Sequence, residues 1–107
     1  MKKKLNQTDV QGRRQGHWEE YWDNGNLYYK GSYLDGKRTG LWGYYWHNSG
    51  NLIWKGSYLN GQETGVWEYY WYNGNLRTKG SYLKGKKIGT WKRYDTDGTL
   101  EKVIYYH

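Results

Sequence analysis

The feature that most constrains the fold of this chain is a sequence repeat that covers nearly its whole length. The spacing between successive units is 24, 25 and 24 residues, and Ser49 is the extra residue of the longer unit. A fixed period of this size is typical of arrays in which each unit is one supersecondary structure that packs against its neighbours. The units are 12–35, 36–60, 61–84 and 85–107. The sequence therefore predicts a single repeat domain at 12–107, preceded by a basic N-terminal arm or partial repeat at 1–11.

The pattern inside a unit predicts two strands and a turn. In the first three units, Trp-x-x-Tyr-Trp is followed by an Asn-Leu turn segment and then by Lys-Gly-Ser-Tyr-Leu. Asn24-Gly25 and Asn73-Gly74 favour a type I′ hairpin turn, because both residue types tolerate a positive φ. The polar stretch from Gly36 to Gly40, with its two later copies, suits a looser connection between hairpins. Strands are expected near 17–23, 27–34, 41–47, 52–59, 66–72, 76–83, 90–95 and 100–106. This predicts an all-β fold, an extended antiparallel β-meander built from about four tandem β-hairpin repeats.

Alternation of side chains assigns residues to the two faces of this sheet. In the second strand it places Leu27, Tyr29, Gly31 and Tyr33 on one face, and Tyr28, Lys30 and Ser32 on the other. A glycine inside a strand often marks a bulge or a close approach by a large ring. We therefore expect a tryptophan to cover each of Gly31, Gly56 and Gly80.

Composition indicates an aromatic core. The apolar fraction is only 36% and the mean hydropathy is −1.25, but the chain holds 8 Trp and 14 Tyr. Such rings bury on the order of 150–250 Å² each, so stacked columns of them can replace aliphatic side chains. There is no cysteine, which excludes disulfides and thiolate metal sites. The N-terminus lacks the apolar run of a signal peptide, and we expect a cytoplasmic protein.

The sequence offers no catalytic constellation, and we expect no enzyme, cofactor or metal site. His17, His47 and His107 have no metal-ligand spacing. Glu19 and Glu20 are adjacent, so in a strand they point to opposite faces and cannot act as an acid and base pair.

The repeat resembles the bacterial variant of the MORN repeat over residues 12–107. The matching positions are Trp18, Tyr21, Asn24, Gly25, Leu27, Gly31, Tyr33 and their copies. The last unit departs from the pattern at Asp95, Val103 and Ile104, as a terminal cap would. Proteins with this variant are often labelled as antitoxin components of two-gene toxin modules, and related arrays serve as scaffolds or contact phospholipids. The resemblance implies a non-enzymatic binding role.

Functional residues are sought where the units disagree, because positions shared by all units serve the scaffold. Trp54 stands out, and with Tyr44 and Tyr28 it predicts the aromatic centre of a protein interface. An equal alternative is that Trp54 fills space beside the longer hairpin. The predicted partner-binding residues are Trp54, Tyr44, Tyr28, Tyr29, Tyr69, Tyr72 and Arg77. The expected partner is another protein, an effector or toxin-like molecule that this chain restrains, and open strand edges also allow a second copy of the chain to pair.

The main alternative is a polyanion binder for nucleic acid or an anionic membrane. The net charge is +7, of which +4 lies in residues 1–16. The residues that would bind phosphates are the basic arm and Lys84, Lys86, Lys87, Lys92 and Arg93. A third hypothesis is sugar binding on exposed rings.

Overall fold

The computed structural model describes residues 5–107, and these form one open sheet of nine antiparallel strands without a helix. Each strand pairs with the next in chain order, so the predicted all-β meander is confirmed. The strands are β1 Gln7–Thr8, β2 Arg14–Tyr21, β3 Leu27–Leu34, β4 Lys37–Tyr45, β5 Leu52–Leu59, β6 Gln62–Tyr70, β7 Leu76–Leu83, β8 Lys86–Tyr94 and β9 Leu100–Tyr106.

The N-terminal segment contributes the short strand β1 to one edge of the sheet. Gln7 pairs with Gln15 and Thr8 with Arg14. The Asn6 side chain extends this edge, because it donates to the Glu19 carbonyl at 3.0 Å and accepts from the Glu19 amide at 2.9 Å. Lys2, Lys3 and Lys4, which carry much of the predicted basic arm, lie outside the described residues. The domain boundaries remain predictions.

The two kinds of turn are the reverse of those expected. Asp35 and Gly36 have φ of 51° and 81°, as a two-residue type I′ turn requires, and the same holds at Asn60-Gly61 and Lys84-Gly85. Consequently β4, β6 and β8 begin at Lys37, Gln62 and Lys86, inside the segments that were predicted to be loose connections.

The Asn-Gly turns are longer. Trp22 N bonds to Asn26 O at 2.7 Å, which closes a three-residue loop in which Gly25, and not Asn24, has a positive φ. The prediction of type I′ turns at Asn24-Gly25 and Asn73-Gly74 is therefore wrong.

The predicted cover of each strand glycine by a tryptophan is confirmed. The ring of Trp42 lies on Gly31, that of Trp67 on Gly56 and that of Trp91 on Gly80. In each case the ring comes from the strand that follows the glycine, so every repeat is tied to the next. These rings form the buried core, in which Trp42 has 0% of its surface exposed. Burying one indole contributes roughly 5 kcal/mol by its area, which is how a chain poor in aliphatic residues holds together.

The sheet has two unlike faces. The tryptophan face carries Trp18, Trp42, Trp67 and Trp91, and the lysine face carries Lys30, Lys55, Lys79 and Lys92. A bulge at the end of each hairpin changes the predicted assignment of two residues. Tyr21 pairs with Leu27 while Glu20 pairs with Tyr29, so Tyr28 is left unpaired. Leu27 therefore lies on the lysine face, and the Tyr28 ring joins Tyr29 on the tryptophan face.

Hydrogen bonds link successive Asn-Gly turns, with one interruption. Asn24 and Asn26 both donate to the His47 carbonyl oxygen, at 2.7 and 3.0 Å, and Asn73 and Asn75 bond in the same way to Thr96. The turn that contains Ser49 makes no such bond to its neighbour among residues 5–107. The inserted residue thus leaves the middle of this row of turns without the hydrogen bonds that link the turns on either side.

Candidate functional site

A row of residues in register crosses the tryptophan face from β2 to β9. Its pairs are Glu20–Tyr29, Tyr29–Tyr44, Tyr44–Trp54, Trp54–Tyr69, Tyr69–Thr78, Thr78–Arg93 and Arg93–Lys102. The four consecutive aromatic members, Tyr29, Tyr44, Trp54 and Tyr69, are called the aromatic ladder. All four are half-buried. Polar residues bound the ladder at both ends, which matches the arrangement of an apolar centre and polar rim in protein interfaces.

Three rings of the ladder stack in sequence, and the fourth, Tyr69, packs in tilted geometry against Trp67 at 6.2 Å. The ring centroids of Tyr29 and Tyr44 are 5.1 Å apart, and those of Tyr44 and Trp54 are 4.6 Å apart, both in stacked geometry. Trp54 also stacks on the buried Trp67 at 4.8 Å. Trp54 is therefore both a core contact and a ladder ring, so the two readings of this residue, interface centre and filler, are not exclusive.

Arg38 fixes the position of the central tyrosine. Its Nη2 donates to the Tyr44 hydroxyl at 2.8 Å and its Nη1 donates to the Tyr58 hydroxyl at 3.1 Å. Its guanidinium carbon lies 4.5 Å from the centre of the Trp42 ring, within cation–π range. This arrangement orders the polar tip of Tyr44 while leaving the face of its ring to stack on Trp54.

Two tyrosines of the ladder have raised pKa values. Burial raises the pKa of Tyr29. Burial, together with the hydrogen bond between the Tyr69 and Tyr82 hydroxyls at 3.0 Å, raises the pKa of Tyr69. Tyr29 and Tyr69 are therefore neutral at ordinary pH.

The structure brings together five of the seven predicted partner-binding residues. Tyr28 touches the ladder at Tyr29 and Tyr44, with ring centroids 5.2 and 5.8 Å apart. The other two do not belong to it. Tyr72 lies in an Asn-Gly turn and packs edge-on against Trp46 at 5.5 Å. Arg77 is the unpaired residue of the bulge in β7 and lies 5.4 Å from the Trp71 ring. The assignment of all seven residues to partner binding stays a prediction.

Arg38 was not among the residues predicted from the sequence. A signal for it existed, because a charged residue stands four positions before each core tryptophan: Arg14, Arg38, Glu63 and Lys87. Arg14, Arg38 and Lys87 each place a cation 4.5, 4.5 and 4.8 Å from the ring of that tryptophan. These positions were assigned to connections between hairpins, where no contact with a strand tryptophan was expected.

The five cations of the alternative polyanion site do not form one surface. Lys87 lies over the Trp91 ring on the tryptophan face. Arg93 is on the same face, and its Nε lies 3.6 Å from Glu101 Oε2. Lys86 and Lys92 lie on the lysine face, and Lys84 occupies a type I′ turn with φ of 50°. A phosphate backbone would have to contact both faces to use them all.

No group of three or more His, Asp or Glu side chains in residues 5–107 is placed to hold a metal ion. The same part of the chain contains no helix long and apolar enough to cross a lipid bilayer.

The fold and the row of rings define a single-layer antiparallel repeat array with one aromatic face. The family model described as MORN repeat variant matches residues 14–35, 63–84 and 87–107, more than half of the chain. The chain therefore belongs to the MORN repeat variant family. MORN repeats are non-catalytic modules generally associated with binding of proteins or membrane lipids. Neither the comparison with curated proteins nor that with solved structures returned a significant match.

Proposed function

We propose that this chain is a cytoplasmic, non-enzymatic module that binds a partner protein through the aromatic ladder and thereby restrains that partner. The observation that carries the proposal is the ladder itself. Four aromatic residues lie in register on neighbouring strands, and three of their rings, those of Tyr29, Tyr44 and Trp54, stack in sequence, on a face that no second layer of the described chain covers. Tyr and Trp are the residue types that most often carry binding energy at protein interfaces, since they bury large areas at small entropic cost.

The restraint of an effector is the finer part of the proposal. It is supported by the similarity of the repeat to those in antitoxin components, and it extends to an immunity factor or another inhibitor. A rigid sheet suits this role, because a preordered surface loses little entropy when it binds. From β2 to β9, each two neighbouring strands are joined by five or six residue pairs in register, which gives the surface that rigidity.

The polyanion hypothesis has weaker support, because its five cations are divided between two faces and a turn. Salt separates the two functions. Phosphate binding releases counterions, and with about 6–10 phosphate contacts the affinity falls roughly 10³- to 10⁵-fold between about 50 and 200 mM salt. A contact made by uncharged rings changes little over that range.

The direct test is capture of partners from the native host, followed by mass spectrometry. Bait variants are Trp54→Thr, which introduces the residue type found at the equivalent Thr78, and Tyr21→Thr, which removes an exposed ring from the lysine face. Trp54→Thr is expected to lose the captured protein, and Tyr21→Thr to retain it. Because Trp54 also packs in the core, capture is carried out well below the melting temperature of each variant. Retention of the same protein by folded Trp54→Thr would refute binding through the ladder.

A further inference from the structure

The lysine face carries its own row of residues in register. In strand order it contains Glu19, Lys30, Gly43, Lys55, Glu68, Lys79, Lys92 and Val103. The pairs Lys30–Gly43, Lys55–Glu68 and Lys79–Lys92 occupy the same register position in successive repeats. The same structural position is therefore occupied by a lysine and a glycine, by a lysine and a glutamate, and by two lysines. These three pairs can be compared directly.

In the middle pair, a carboxylate neutralises the charge of the lysine opposite it. Lys55 Nζ lies 3.4 Å from Glu68 Oε1, and Lys79 Nζ lies 3.9 Å from Glu68 Oε2. The Glu68 carboxylate on β6 thus lies between two lysines, one on each neighbouring strand. Cross-strand pairs of opposite charge stabilise a sheet modestly, by about 0.2–1 kcal/mol.

The last pair places two lysines directly opposite each other. Lys79 pairs in register with Lys92, and the strand on the other side of Lys92 offers Val103. Within residues 5–107, Lys92 has no acidic partner, and the one carboxylate near Lys79 is that of Glu68 at 3.9 Å. Like charges in directly opposite positions destabilise a sheet. The arrangement therefore has an energetic cost that a bound anion would remove.

The surroundings of the two lysines also change. A cavity of about 270 Å³ is lined there by Val66, Lys79, Gly80, Ser81, Thr90, Lys92 and Tyr94. The position of Thr90 is occupied by Leu41 and Val66 in the preceding units. A hydroxyl therefore replaces an apolar side chain in the same unit in which lysine replaces glutamate. Ser81 is half-buried and Thr90 exposed, and both hydroxyls can donate to an anion.

We propose that Lys79, Lys92, Ser81 and Thr90 form a binding site for a carboxylate side chain in an acidic segment of a polypeptide. The bound carboxylate would take the place that Glu68 takes between Lys55 and Lys79. Lysine ammonium groups and hydroxyls suit a single carboxylate, whereas the site lacks the arginine fork and free backbone N–H groups that favour phosphate. The site lies on the face opposite the aromatic ladder and does not depend on the proposed function.

The test is a titration of the ¹⁵N-labelled chain with an acetylated and amidated Glu-Ala-Glu peptide at low salt, followed by NMR. Saturable shifts are expected at the amides of Lys79, Ser81, Thr90 and Lys92, and a Gln-Ala-Gln peptide should not produce them. Inorganic phosphate is titrated separately. Tighter binding of phosphate than of the acidic peptide at these amides would overturn the assignment to a carboxylate.

Two charge-reversed variants complete the experiment. Lys92→Glu recreates the Lys55–Glu68 pairing within the chain and should weaken peptide binding at least tenfold while raising the melting temperature. Lys37→Glu makes the same change in net charge at an exposed position near a type I′ turn, and its affinity should stay within twofold of the parent. Equal losses in the two variants, unchanged binding by Lys92→Glu, or absence of shifts at these amides would each refute the site.

Discussion

The Trp42 indole lies flat on the backbone of Gly31, and its Nε1 donates a hydrogen bond to the Ser32 carbonyl oxygen at 3.1 Å. The same pair of contacts recurs at Trp67 with Gly56 and at Trp91 with Gly80. Each repeat is thus joined to the next by a ring that occupies the space of a missing side chain. This contact, repeated along the array, accounts for the absence of a second layer among the described residues.

Replacing Gly56 with alanine should destabilise the fold by about 3 kcal/mol, because the new Cβ would overlap the Trp67 ring and force the two strands apart. Gly43→Ala is the matched control. Its Cβ would meet the Tyr45 hydroxyl at 3.1 Å, Leu52 Cδ2 at 3.3 Å and Tyr45 Cε2 at 3.4 Å, all of them side-chain atoms that can move by a few tenths of an ångström. Urea denaturation of both variants measures the difference. Equal destabilisation would contradict a specific role for the ring on Gly56.

Deleting Ser49 should stabilise the protein by about 1 kcal/mol. Trp22 Nε1 donates to the Tyr45 carbonyl and Trp71 Nε1 to the Tyr94 carbonyl, both at 3.1 Å, whereas the buried Trp46 Nε1 has no partner among residues 5–107. The deletion restores the 24-residue period, and with it a bond from Trp46 to the carbonyl of Tyr70.

Thermal denaturation and hydrogen exchange of the Trp46 indole N–H check the effect of that deletion. Slower exchange at Trp46 and a higher melting temperature are expected together. A lower melting temperature would mean that the longer turn is itself a stabilising element.

The contact between His47 Nε2 and Asp23 Oδ1, at 2.7 Å, should make stability depend on pH in a defined window. The hydrogen bond to Asp23 raises the pKa of His47 above 6.5, and the same bond lowers the pKa of Asp23 below 3.8. The stabilisation is complete between these two values. It is lost as the pH rises through the raised pKa of His47, and also as it falls through the lowered pKa of Asp23.

NMR titration of the His47 ring in the parent and in Asp23→Asn tests this prediction. The variant should have a lower pKa at His47, and its loss of melting temperature relative to the parent should be largest between about pH 4 and 6.5. An unchanged His47 pKa would show that the contact is not formed in solution.

Asp9 should be required to hold the N-terminal edge strand in place. Its carboxylate accepts bonds from the backbone amides of Gln11 and Arg13, each at 2.9 Å, and the bond from the Arg13 amide is the main reason that its pKa is lowered to about 2. In Asp9→Asn, amide exchange at Asn6 and Gly12 should increase several-fold at pH 7. The Gly36 amide, bonded to the Arg14 carbonyl, is the control and should not change. Uniform acceleration would instead indicate global destabilisation.

Much of the candidate site could be predicted because the repeats of this chain can be aligned and compared with one another. Aligning the units was enough to single out Trp54 and Tyr44, which the structure places 4.6 Å apart in one stack. Tyr72 and Arg77 were grouped with them by the same alignment, but Tyr72 lies in a turn and Arg77 at the bulge of β7, where it packs on Trp71. Sequence disagreement between units marks positions that are free to vary, and it contains no information on which of those positions are neighbours in space.

The turns show a different limit. Asp35-Gly36 and Asn60-Gly61 are dipeptides that favour type I′ turns as strongly as Asn24-Gly25 does. Either set of dipeptides could form the tight turns. The second glycine of each connecting segment led to the prediction of a loose connection there, which is wrong. Gly40, with φ of 67°, lies inside strand β4, where it belongs to the irregular pairing opposite Gly31.

The sequence by itself determined the repeat, the meander of hairpins and the placing of a tryptophan on each strand glycine, since all three follow from periodicity and from the space that a glycine leaves. Only the tertiary structure decided which face carries which side chains beyond each bulge, and where the strands begin. Bulges and turn lengths are set by hydrogen bonds between strands, and one extra unpaired residue moves a side chain such as Tyr28 to the opposite face. That shift places Tyr28 beside Tyr29 and Tyr44, where it contributes to the aromatic face.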